Sequence, residues 1–130
     1  MFAKFENNKA FHIVNALAPE ENVADWVVVD DSLADARRIV RDSNGTIRAA
    51  TEAEITAELE ELRISSTARK LRFQRDQALD ASDSLVTPDR WNTFTAAQKE
   101  AITAYRAALR NLPQQPGFPL ETSVPVAPSL

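Results

Sequence analysis

The sequence predicts an α+β fold, and three observations carry that prediction. Short alternating runs, one of them folded about an Asn44-Gly45 pair, fill the first fifty residues. A capping box at Thr51-Glu52-Ala53-Glu54 then opens a stretch that meets neither proline nor glycine until Pro88. A second capping box, Thr95-Ala96-Ala97-Gln98, opens a shorter helix that Pro113 ends. The organisation expected is a small antiparallel β meander over 1–50, a long α-helix over 51–84, and over 85–130 a second, shorter helix followed by an extended Pro-rich tail.

Residues 2–5 alternate apolar and polar, Glu6-Asn7-Asn8-Lys9 supplies turn chemistry, and Ala10-Phe11-His12-Ile13-Val14 resumes the alternation. Asparagine tolerates the left-handed backbone of a tight hairpin, so this reads as strand, turn and strand. Pro19 to Asn22 is a loop. The β-branched run Asp25-Trp26-Val27-Val28-Val29-Asp30 reads as the clearest strand, and Asp31 to Ala36 as a helical turn. Arg37 to Asp42 and Thr46 to Ala50 flank Ser43-Asn44-Gly45 as a second hairpin. A sheet of this size falls below what one core usually stabilises alone, so packing on a partner or on its own helix is expected.

The helix from Thr51 to about Ser82 would span roughly 45 Å at about 1.5 Å per residue, too long to be buried in so short a chain. It is expected to project or to be gripped by other chains. Glu52, Glu54, Glu58, Glu60 and Glu61 fill its first half, and Arg69, Lys70, Arg72 and Arg75 its second, both suited to the helix dipole. Ile55, Leu59 and Leu62 keep three-four spacing, but the seam then meets Ser66 and Arg69 before Phe73. A seam shifted to Ile64, Ala68, Leu71 and Ala78 mends the break. Self-association through this helix is therefore an open expectation, with parallel pairing disfavoured by like charges at similar height.

Asp83 to Trp91 reads as a loop bent at Thr87-Pro88. In the second helix Ala101, Ile102, Tyr105, Ala108, Leu109 and Leu112 form one apolar stripe, suited to packing on the first helix. Pro113 and Pro116 stop it, and the remainder to Pro128 is polyproline-like.

Composition narrows the chemistry. The chain has 130 residues and an apolar fraction of 44%, ordinary for a globular protein. Its net charge of -4 disfavours general attraction to phosphate backbones and anionic membranes, so neither nucleic acid nor membrane is an expected partner. Cysteine is absent, which excludes disulfides and thiolate metal sites. Two glycines are too few for a phosphate cradle or a dinucleotide fingerprint, so no cofactor is expected. The start lacks the apolar core of a secretory signal and no window reaches the roughly twenty apolar residues of a membrane span. His12, the one histidine, lacks nearby ligand partners and reads as a strand-face residue. Asp30-Asp31 and Asp80-x-x-Asp83 lack calcium-loop spacing and read as caps and solvated faces, so no metal is expected. The arginine cluster at 69–75 reads as charge balance at a helix end, and no nucleophile–base pair stands in a recognisable motif.

From Arg75 onward a pattern forms that does resemble something known. It comprises Arg75, Leu79, Ser82, Asp83, Pro88, Asp89, Tyr105, Arg106, Leu109, Arg110, Leu112, Pro113, Phe118 and Pro119. Over roughly residues 69–128 this resembles the tail fibre assembly proteins, or tail assembly chaperones, of tailed bacteriophages. The run Tyr105-Arg106-x-x-Leu109-Arg110-x-Leu112-Pro113 carries most of the likeness. Two departures stand out. Ser84 occupies a place where the family usually has an aromatic, and Val124-Pro125 and Ala127-Pro128 replace a Trp-Pro ending.

The resemblance implies a non-enzymatic chaperone that binds a nascent, trimeric tail fibre protein in the host bacterial cytoplasm and assists its folding, trimerisation or attachment. The alternative is a permanent virion component at the fibre tip or joint. On this reading Tyr105, Leu109 and Leu112 supply a packed face, Trp91 and Phe118 act as anchors, Arg106 and Arg110 as polar clamps, and Phe118-Pro119 begins a strap along the partner.

Overall fold

A computed structural model describes residues 1–130. The chain divides into two compact units, Met1–Leu59 and Glu60–Leu130, with the boundary inside its long helix.

The first unit is a five-stranded antiparallel sheet followed by the opening turns of that helix. Strands β1 (Phe2–Glu6) and β2 (Lys9–Val14) form a hairpin whose turn residues Asn7 and Asn8 both have positive φ, 49° and 62°. That is the primed turn whose twist matches the strands, and asparagine is one of the few side chains that tolerates it. Register slips between Lys4 and Phe5, a bulge that bends the ladder. Strands β4 (Ile39–Arg41) and β5 (Ile47–Ala49) form the second hairpin, with Gly45 at φ 88° and Asn44 Oδ1 accepting from the Thr46 amide.

Two expectations are corrected here. The run from Asp25 to Asp30 yields only a two-residue strand, β3 (Val27–Val28). Side chains on either side claim the backbone first: Asn22 caps a 3₁₀ turn over Val23–Asp25, and Asp30 caps another over Asp31–Leu33. Local caps of this kind compete directly with a ladder. Nor is the sheet a sequential meander. Its order is β3-β1-β2-β4-β5, because β3 pairs outside β1 while β4 joins the other side of the first hairpin.

One face of the sheet holds the core, Ala3, Ala10, Val29 and Ile39, with Phe5, Leu33, Ala36 and Ile47 packed around it. The register puts Lys4, His12 and Trp26 on the other face. There Lys4 Nζ lies 4.6 Å from the Trp26 ring centre, and the His12 ring packs tilted against it, 5.2 Å between centres. Trp26 Nε1 donates to Glu21 at 3.0 Å.

Helix α1 (Glu52–Asp83) begins in this unit, and the capping box forms as expected. Thr51 Oγ1 accepts from the Glu54 amide at 3.2 Å, and Glu54 accepts from the Thr51 amide at 2.8 Å. An ionic clasp holds the first turns to the sheet. Arg38 pairs with Glu58, Lys9 stands 3.5 Å from the same carboxylate, and Arg48 bridges Asp42 and Glu54. The Arg48 guanidinium, followed by the Thr51 amide, pulls Glu54 down to about 2. Arg38 holds Glu58 below the ordinary range in the same way.

In the second unit α1 continues to Asp83, and α2 (Pro88–Trp91) and α3 (Ala96–Asn111) follow. The segment expected as a loop instead contains a 3₁₀ turn over Ser84–Val86 and α2, which Pro88 starts at its first position, where its missing N–H costs nothing. Thr95 and Gln98 complete the second capping box. Ile102 and Leu109 are both 0% exposed and, with Leu112, form the interior of this unit; Ala108 of the expected stripe faces solvent. Ala68, Leu71, Ala78 and Ser82 make the covered side of α1, so the mended seam serves packing within the chain. No helix is long and apolar enough to cross a membrane.

Candidate partner-binding surface

The second unit is held at one end by a web centred on Arg106. A helix ends in unsatisfied carbonyls with partial negative charge, usually met by a cation in the last turn. The last turn of α1 has no basic residue of its own. Arg106 supplies the charge from α3: Nη1 donates to Ser82 Oγ and, at 3.4 Å, to the Leu79 carbonyl, and Nη2 stands 2.9 Å from Asp83. Ser82 is buried and donates to the Leu79 carbonyl at 2.8 Å. Four residues of the sequence pattern, Leu79, Ser82, Asp83 and Arg106, thus meet at one point.

At the other end the chain returns along α1. Gly117 turns it with φ 79°, and a Cβ there would lie 2.8 Å from the Cβ of Glu121, so no other residue fits without a shift. Phe118 is half-buried beneath the Arg72 guanidinium, 5.3 Å from the ring centre, a cation–π contact. Pro119 is buried. Between this turn and Ile64 lies a shallow groove of about 260 Å³, lined also by Leu120 and Glu121. Beyond it Val124, Pro125 and Pro128 are half-covered while Val126 stands free, so the tail alternates between the chain and solvent.

One comparison with known families bears on the second unit. Residues 68–129 match the phage tail assembly chaperone protein family. No match was found among curated proteins or among solved structures. The family-matched segment starts at the covered Ala68 and ends in the tail, so it takes in the Arg106 web, all of α3 and the Phe118 turn, but none of the sheet.

The residues singled out from sequence fall into two groups. Leu109, Leu112, Arg106 and Pro119 are turned inward and hold the segment together. Trp91, Tyr105 and Phe118 are half-exposed and Arg110 is exposed. Trp91 closes α2 with Lys99 Nζ 5.7 Å from its ring centre. Ser84, at the position of the usual aromatic, accepts from Arg90 at 3.3 Å and tightens the turn after α1. Arg72, Ile64 and Gly117 were not among the expected site residues. Arg72 and Phe118 lie far apart in sequence, and no local spacing signals their contact.

Proposed function

We propose that this chain is a non-enzymatic assembly chaperone that binds a tail fibre protein of its phage in the host cell and assists its folding or trimerisation. The observation that carries this reading is the family match over 68–129, together with the packing of that same segment into a unit that leaves three aromatic side chains half-exposed. Trp91, Tyr105 and Phe118 are the contact residues, because large amphipathic rings provide binding area at low entropic cost. Arg110, exposed one turn beyond Arg106, is the polar contact. Arg106, Leu109, Leu112 and Pro119 act from beneath by fixing where those rings stand.

The test is co-expression with the fibre protein of the same phage. Soluble fibre trimer should rise when this chain is present and fall back with Trp91→Ala or Phe118→Ala. Equal trimer yield with and without the chain would refute the proposal.

A further inference from the structure

Helix α1 carries two lines of residues on opposite sides, and only one is used inside the chain. In the second unit Ala68, Leu71, Arg75, Ala78 and Ser82 face inward. Leu62, Ser66, Arg69 and Phe73 recur at four-three-four spacing about half a turn away, and all are exposed, Leu62 by 58% and Phe73 by 63%. The ion pairs of α1 in this unit are Arg63–Glu60, Arg75–Asp76 and Arg106–Asp83, which leaves Arg69 and Lys70 unpaired between the two large apolar side chains. An exposed leucine and phenylalanine about 16 Å apart on one helix face, with two free cations between them, have the layout of a helix-docking strip.

We propose that this outward strip docks an acidic amphipathic helix of the client, one with apolar residues about three turns apart and carboxylates between them. The inference rests on the functional reading above and names the chemistry of what is bound. Like charge in the same stretch disfavours a second copy of this chain. A copy laid on the strip would bring its own Arg69 and Lys70 into the same stretch, and most carboxylates α1 could offer there, Glu54, Glu58, Glu60 and Asp76, are already held by Arg48, Arg38, Arg63 and Arg75, leaving Glu61 and Asp80. Leu62 and Phe73 contribute burial, while the cations set which helices are accepted.

The experiment is capture of the phage's tail fibre protein, from co-expression, on the tagged full chain. Phe73→Ala should weaken capture roughly tenfold, and the double reversal Arg69→Glu/Lys70→Glu more than that. Wild-type capture should weaken between about 0.05 and 0.5 M salt, and the Arg69→Gln/Lys70→Gln variant should lose that dependence. All these positions are exposed, so unchanged far-ultraviolet circular dichroism is the folding control, and the wild-type salt dependence needs no variant. Capture by the variants equal to wild type, or a wild-type dimer that Phe73→Ala dissociates, or displacement of the fibre protein by duplex DNA, would overturn the inference and leave the functional reading standing. Failure of the wild-type chain itself to capture fibre protein would instead remove the functional reading, and this one with it.

Discussion

Replacing Arg106 with methionine keeps the apolar stem of the side chain and removes its charge and donors. The side chain is 17% exposed, so its bonds are only partly screened. Hydrogen bonds that involve a charged group contribute about 1.5–3 kcal/mol. Loss of the cation from a helix C-terminus adds about 0.3–1 kcal/mol. The pair with Asp83 adds little, because that carboxylate is 64% exposed. Ser82 is not orphaned by the change, since it still donates to the Leu79 carbonyl. The expected cost is therefore about 2–4 kcal/mol, which lowers the closing equilibrium about 30- to 700-fold. Amide hydrogen exchange reads this directly: protection in the last turn of α1 and along α3 should fall by that factor, while the sheet stays unchanged. Asp83→Asn should lower the same amides by less than about threefold. If Arg106→Met changes protection no more than Asp83→Asn does, the web is not what closes this end of the unit.

Ile102→Ala, at a fully buried position, should cost about 2–5 kcal/mol and abolish cooperative unfolding of the second unit in urea. Gly117→Ala should destabilise more than Gly45→Ala: both have positive φ, but the new methyl meets Glu121 at 117 and open space at 45, a difference visible in paired thermal melts. Glu54 has a folded pKa of about 2 against an ordinary 4.5, so its stabilising effect is complete above about 4.5 and is lost as pH falls toward 2. The stability gap between wild type and Glu54→Gln should accordingly be present at neutral pH and close across that window; a gap that stays constant with pH would refute the assignment to Arg48. Mass spectrometry of purified phage particles should find no copy of a chaperone that leaves after assembly, whereas stoichiometric recovery would favour a resident fibre component.

What could be read from sequence was what short-range chemistry dictates. Thr51 with Glu54, Thr95 with Gln98, Asn7-Asn8 and Asn44-Gly45 each fix a helix start or a turn within a few residues, and each formed as expected. The Val27–Val29 run misled because β-propensity competes with caps at Asn22 and Asp30 that propensity does not register. Strand order was invisible for a different reason: it depends on which edge of the first hairpin β3 and β4 reach, a non-local choice. In α1 the two candidate seams were both visible, but which one faced inward was settled only by where α3 and the Phe118 turn came to rest. The same limit applies to the site. The pattern residues were legible one by one, yet the contacts that join Arg106 to Ser82 and Arg72 to Phe118 span long stretches of chain.

The Arg106 web also imposes an order on synthesis. The terminal turn of α1 leaves the ribosome more than twenty residues ahead of the guanidinium that neutralises its carbonyls. Until residue 106 has emerged, that end can only fray in water. A nascent chain stalled before α3 would thus carry a long helix with a loose tip, and the unit becomes competent only when its own last third has been translated.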